Sequence, residues 1–221
     1  MKTPVVDYKQ LRLSKLKDPQ FSHLLLLLGW VGYFIMYFLT ENLIPAENCA
    51  PVKMWLDDVI PFNEWFVIPY VFWYLLVVIS LGWFMFYDVK SFKALQTYII
   101  ITQICAMIVY ILYPTRQDLR PDVFPRDNIL SDLIGMIYSF DTNTGVCPSL
   151  HVAYSIGIAS VWVRQKEAYT WWKIFVVFAV IMICLSTMFI KQHSAVDFFA
   201  ALPVCLVAEF VVYGKSYFFR K

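Results

Sequence analysis

The chain has 221 residues, of which 60% are hydrophobic and only 15% are charged, and its formal net charge is +2. A net charge this small gives no indication of nucleic-acid binding. The apolar residues are not distributed as in one soluble domain. They recur in uncharged runs of about 20 residues, the length that crosses the hydrocarbon core of a bilayer. The composition therefore indicates a membrane protein with several spans.

Six membrane-spanning helices are predicted, in one all-α integral membrane domain that covers residues 1–221. Four of the predicted spans are uncharged apolar runs, at 21–39, 65–87, 94–113 and 174–190. The other two, at 149–163 and 195–213, carry ionisable side chains. Such groups are costly inside a bilayer and indicate a functional role.

The lysines and arginines are distributed unequally between the two sides of this predicted bundle. With six spans both termini lie on one side, and that side holds 13 of the 18 cations. The positive-inside rule then places both termini in the cytoplasm. The loops after the first, third and fifth spans are consequently expected on the extracytoplasmic or lumenal face.

The loop at 114–147, between the third and fourth spans, is too long for a simple connection, and such loops are usually functional. Apolar residues at 129, 130, 133, 134 and 137 have helical spacing, and Asp127 or Asn128 is a suitable helix cap. A short interfacial helix over 128–138 is therefore predicted. It could act as a lid or lipid portal, or anchor the loop to the membrane surface.

Two of the three histidines lie at the outer ends of predicted spans. His151 is at the start of the fourth span and His193 just precedes the sixth, and helix N-termini attract anions. His193 and Asp197 are four residues apart and share one helix face. The carboxylate can orient His193 as a nucleophile, and His151 can protonate a leaving oxygen. His23, at the cytoplasmic end of the first span, is predicted to be a packing residue.

Three cations, Arg116, Arg120 and Lys191, lie close to these histidines on a face that is otherwise poor in positive charge. They are predicted to bind the oxygens of a phosphate group. Two histidines and a carboxylate are also a plausible zinc or iron(II) site. The surrounding cations favour phosphate over metal, so neither a metal nor another cofactor is predicted.

At these residues the chain resembles the type-2 phosphatidic acid phosphatase superfamily of membrane phosphatases and phosphotransferases. The family has three motifs, K-x6-R-P, P-S-G-H and S-R-x5-H-x3-D. They correspond here to Arg120-Pro121, to Pro148-Ser149-Leu150-His151, and to residues 186–197. The order and spacing of the motifs agree, and the resemblance covers about residues 94–213.

The resemblance implies a role for each matching residue. His193 is expected to become a phosphohistidine, with Asp197 as its partner and His151 as the proton donor. Arg120 and Ser149 are expected to bind the phosphate group of a lipid phosphate or phospholipid. The chemistry of the family uses no metal.

Three positions depart from the family motifs. Tyr113 replaces the lysine of the first motif, Leu150 the glycine of the second and Thr187 the arginine of the third. Arg116 and Lys191 are near enough in sequence to replace the two missing cations. The Pro-Ser-Leu-His and Lys-Gln-His sequences are closer to the branch that contains fungal inositol phosphorylceramide synthases, which transfer a phospho-headgroup between lipids.

The favoured function is therefore a phosphotransferase with a lipid alcohol as acceptor, because Leu150 places an apolar side chain beside the proton donor and disfavours water. One alternative is a lipid phosphate or pyrophosphate phosphatase. Another is a non-catalytic, lipid-binding protein that retains the fold. Cys49 and Cys147 both lie in predicted outer loops, and a disulfide between them is a further expectation.

Overall fold

The computed structural model describes residues 3–218, which are 71% helical with almost no strand. The helices are α1 (Leu28–Leu43), α2 (Trp55–Val59), α3 (Val67–Tyr87), α4 (Val89–Leu112), α5 (Ile129–Phe140), α6 (Leu150–Arg164), α7 (Thr170–Phe189) and α8 (Ala195–Phe218). Two short strands, β1 (Ala50–Pro51) and β2 (Thr115–Arg116), pair in parallel. They join the loop after α1 to the loop after α4.

Five helical segments within the described residues are long and apolar enough to cross a membrane. They are Ser22–Leu43, Glu64–Tyr87, Val89–Leu112, Thr170–Phe189 and Ala195–Gly214. The first two include short 3-10 turns that lead into α1 and α3. The prediction of an all-α, multi-pass membrane protein is confirmed at this level.

The fourth predicted span corresponds to α6, which has 15 residues and is not among those five. This helix lies in the centre of the bundle, where it packs against α3, α4, α7 and α8. At Gly157 a Cβ atom would lie 2.5 Å from the ring of Tyr98, so glycine is needed for the close approach of α4. Protein surrounds α6, and a helix so placed can carry serines and a histidine that lipid would penalise.

Helix caps explain where the observed boundaries differ from the predicted ones. Helix α4 begins at Val89 instead of 94, because Asp88 Oδ1 accepts a hydrogen bond from the Ser91 N–H at 3.1 Å. The lysines of this first turn are therefore part of the helix, although the predicted span, which was based on hydropathy, left them out. Ser149 is the N-cap of α6, so this helix begins at Leu150, one residue after the predicted start of the span.

Helix α5 occupies the loop in which a short helix was predicted. Asn128 caps it by accepting hydrogen bonds from Leu130 N and Ser131 N. Its most buried apolar side chain, Ile134, packs in a small cluster with Val67 and Tyr70 of α3. The apolar face of α5 thus contacts protein at the end of the bundle where α6 and α8 begin.

Candidate active site

His151 and His193 are brought together by the starts of two neighbouring helices. The backbone N–H of Ser149, which caps α6, donates to the backbone oxygen of Asp197 in the first turn of α8 at 3.1 Å. This bond fixes the two helix starts side by side. The centroids of the two imidazole rings are 5.6 Å apart, and both rings line the same cavity.

The His193–Asp197 pair has the geometry that its spacing predicts. His193 Nδ1 lies 3.1 Å from Asp197 Oδ2, and the Asp197 side chain is completely buried. The same oxygen accepts the Ser194 N–H at 3.0 Å, which fixes the carboxylate. With Nδ1 donating to the carboxylate, Nε2 keeps its lone pair, as a nucleophile requires.

Aromatic rings of α3 enclose His151. The Tyr70 ring stacks on the imidazole with a centroid distance of 4.7 Å, and the Trp73 ring lies at 4.2 Å. His151 Nε2, the Tyr70 hydroxyl and Trp73 Nε1 are buried without a hydrogen-bond partner among the described residues. Buried polar atoms are nearly always paired. Of these three residues, His151 and Trp73 line the cavity, so their unpaired nitrogen atoms are suited to bind oxygen atoms of a ligand.

Sequence reasoning missed Tyr70 and Trp73. Both lie within an uncharged apolar span, where an aromatic side chain is normally a packing residue. The signal that identifies them is structural: they are three residues apart on the face of α3 that meets His151.

A cavity of about 710 Å³ extends from the two histidines into the space between α1 and α3. Its volume is within the range of ligand-binding cavities. Its walls are largely aromatic and aliphatic, and include Trp30, Tyr33 and Tyr37 of α1 and Trp73 and Val77 of α3. The site thus combines two imidazoles with an apolar chamber beside them.

Arg120 is connected to this cavity through Gln192. Its guanidinium donates to the side-chain oxygen of Gln192 at 2.8 Å and to the carbonyl oxygens of Asp141 and Thr142, each at 2.8 Å. It also stacks on the ring of Tyr138, 4.4 Å from the centroid. Burial lowers the pKa of Arg120, opposed chiefly by Asp141. Gln192 lines the cavity beside His193 and was not singled out from the sequence.

The other three predicted phosphate ligands have different partners. Arg116 donates to the Ala46 carbonyl at 2.8 Å and to Asp118 at 3.1 Å. Lys191 Nζ donates to the carbonyl oxygens of residues 57 and 60, and burial lowers the pKa of this lysine. The Ser149 hydroxyl accepts the Val152 N–H at 3.4 Å. In the described residues, none of the three lines the cavity.

Asp57 occupies the N-terminus of α8. Its carboxylate accepts hydrogen bonds from the Ser194 hydroxyl at 2.6 Å and from the Ala195 N–H at 2.8 Å. The sequence predicted that this helix end would attract the anion of a substrate. The charge of the helix end is instead matched by a buried side chain of α2, a helix too short to be predicted.

The predicted Cys49–Cys147 disulfide is absent, since both cysteines are free. The Cys49 thiol is directed at the Pro45 carbonyl, 3.6 Å away. The Cys147 thiol faces Asp197, and burial together with that carboxylate raises its pKa to about 12. The two sulfur atoms therefore point to separate partners, and Cys147 is a packing residue of the site.

Within residues 3–218 no group of three His, Cys, Asp or Glu side chains has an arrangement that could hold a metal ion. A scan against protein-family models, a search of the curated proteins and a search of the solved structures each gave no match. The resemblance that was stated from the three motifs therefore stays a prediction.

Proposed function

We propose that this protein is a membrane enzyme of the type-2 phosphatidic acid phosphatase kind, which transfers a phosphate-containing group from a lipid through a phosphohistidine. The observation that carries the proposal is the juxtaposition of two histidines from separate helices, one of them held by a buried carboxylate. They lie at the end of an apolar chamber of lipid dimensions. This combination fits nucleophilic catalysis on a phosphate group that is attached to an apolar molecule.

The proposed reaction has two steps. In the first, His193 Nε2 forms a bond to phosphorus, the bond from phosphorus to the leaving oxygen breaks, and protonated His151 gives its proton to that oxygen. In the second, the hydroxyl of an acceptor attacks phosphorus and gives its proton to His151, and the phosphorus–nitrogen bond breaks. Asp197 holds the His193 ring in position and stabilises the positive charge that develops on it.

Neutral donors can supply part of the phosphate binding that family members obtain from a lysine and an arginine. Trp73 lines the cavity beside His151, and its Nε1 is buried without a hydrogen-bond partner among the described residues. Arg120 supplies the positive charge. It donates a hydrogen bond to Gln192, and the side chain of Gln192 lines the cavity. Preorganised donors in a dry site are effective because they need no reorganisation when charge develops.

The shape of the chamber supports a lipid substrate. Helix α1 packs on α4 and leaves a gap to α3, and the chamber occupies that gap. Large apolar side chains of α1, such as Phe34 and Phe38, are exposed on the surface that would face the bilayer. A lipid headgroup can therefore reach the histidines while its acyl chains remain in contact with the membrane.

We further propose that α6 completes a six-span bundle and that the histidine-bearing end faces the exterior or lumen. The unequal distribution of cations supports this orientation. Val123 and Tyr169 are 83% and 74% exposed at opposite ends of the bundle, so each can carry a reporter. In intact cells, a cysteine at position 123 should react with an impermeant maleimide, and one at 169 should react only after permeabilisation. The reverse pattern would exclude the orientation.

The acceptor is proposed to be a lipid alcohol. Leu150 is 7% exposed and forms part of the cavity wall, where its apolar side chain disfavours water. With a labelled phospholipid, transfer should depend on added diacylglycerol, ceramide or another lipid alcohol, and little free headgroup phosphate should appear. Leu150→Gly should raise the share of hydrolysis, whereas Leu150→Val should not. If inorganic phosphate is released completely from a simple lipid phosphate and no acceptor changes this result, the enzyme is a phosphatase. If no substrate is turned over, the result favours a non-catalytic, lipid-binding protein.

A further inference from the structure

A second cavity lies at the other end of the bundle from the two histidines. Its volume is about 920 Å³, and the junction of α3 and α4, the end of α6 and the last turns of α8 enclose it. His151 and Arg164 line the first and second cavity respectively. They are thirteen residues apart on α6, a distance of about 20 Å along the helix axis. The second cavity is therefore separate from the candidate active site.

Cations dominate the rim of this second cavity. The positively charged lining residues are Lys90, Lys93, Arg164 and Lys166. Two acidic residues, Asp88 and Glu167, also line the cavity. The Asp88 carboxylate accepts hydrogen bonds from Ser91 and Gln165. In the described part of the chain no carboxylate forms an ion pair with any of the three lysines. Three lysines thus line one cavity without an ion-pair partner in the part of the chain that the structure describes.

Part of the wall of the cavity is apolar. Ala94, Val161, Val211 and Val212 contribute to it, and these residues belong to helices α4, α6 and α8. A small dissolved anion would gain nothing from such a wall. The glycerol backbone and first methylene groups of a phospholipid would pack against it while the headgroup contacts the lysines. Basic pockets between membrane helices on the cytoplasmic side bind anionic headgroups in this way.

We propose that this cavity binds the headgroup of an anionic phospholipid, with Lys90, Lys93 and Lys166 contacting its phosphate oxygens. Under the orientation proposed above, the lipid belongs to the cytoplasmic leaflet and is not the substrate, which enters at the opposite end. Because α4, α6 and α8 all contribute to the cavity, a bound headgroup holds together the ends of three helices. Two of them, α6 and α8, carry His151 and Asp197 at their other ends.

The test is lipid-dependent thermal stability of the purified protein in a neutral detergent. Short-chain phosphatidylglycerol should raise the unfolding temperature more than phosphatidylcholine or inorganic phosphate. Removing two cations with Lys90→Gln/Lys93→Gln should weaken the apparent affinity for phosphatidylglycerol about 30-fold, at roughly fivefold per lysine. The matched control is Lys15→Gln/Lys17→Gln, which removes two exposed lysines outside the cavity and should leave the affinity unchanged.

Three results would overturn the proposal. Phosphatidylglycerol could prove no better than phosphatidylcholine, the control pair could lose as much affinity as the cavity pair, or inorganic phosphate alone could stabilise the protein equally. If the double variant at 90 and 93 does not fold, Lys166→Gln, in the exposed loop after α6, should still weaken binding about fivefold. None of these readouts depends on turnover, so the outcome is independent of the proposed catalytic function.

Discussion

His193→Ala should abolish turnover, with a loss of at least ~10³-fold, because it removes the group that we propose forms the covalent intermediate. The variant should still fold, since His193 makes one side-chain hydrogen bond, to Asp197. Rapid quenching with a labelled substrate should trap an acid-labile phosphoprotein in the wild type and none in the variant. Retention of a tenth of the wild-type activity would exclude His193 as the nucleophile.

His23→Gln is the matched control for a buried histidine. His23 lies at the other end of the bundle, where Nε2 is 2.8 Å from the Tyr8 hydroxyl, and its replacement should leave turnover unchanged.

His151→Ala should still bind substrate. Its loss of activity should be smallest for substrates with good leaving groups, because these need less protonation. Inhibition by a chelator that zinc reverses would instead support the metal-site interpretation.

Asp57→Asn should destabilise the protein by roughly 2 to 4 kcal/mol, because the amide cannot accept all the hydrogen bonds that the buried carboxylate accepts at the start of α8. It also removes a negative charge from a helix N-terminus, where such a charge is favourable. Unfolding by a denaturing detergent, followed by tryptophan fluorescence, measures the loss. Because α8 carries Asp197, activity should fall with stability.

The neighbouring residue supplies a matched control. Asp58 forms a surface ion pair with Lys53, in which both side chains are more than half exposed. Exposed pairs of this kind contribute at most about 1 kcal/mol, so Asp58→Asn should be nearly neutral. Equal effects of the two substitutions would show that Asp57 does not stabilise the start of α8.

The sequence predicted the parts of the site that depend on short-range spacing and on topology. Residues four apart on a helix face the same way, which is why His193 and Asp197 meet as expected. Two helices that run in the same direction begin at the same end of the bundle, and this was enough to place His151 near His193. The roles assigned to these three residues, and the phosphate contact of Arg120, stay predictions.

Contacts between distant segments could not be predicted. Asp57 meets Ser194 across more than a hundred residues, and a single aspartate in an acidic loop gives no indication of such a partner. Arg116 and Lys191 were assigned to phosphate from proximity along the chain, whereas nearby carbonyl groups satisfy them in the fold. Tyr70 was indistinguishable from packing aromatics because hydropathy does not report which way a ring faces.

The central position of α6 has a consequence for biogenesis. A segment of 15 residues that contains a histidine and two serines, and is capped by a third serine, has little tendency to enter lipid unaided. Its contacts are with the helices around it, so we expect it to enter the membrane together with the later segments α7 and α8. His151 therefore reaches its partner only when the bundle closes. A nascent or misassembled chain would therefore not bring the two histidines together.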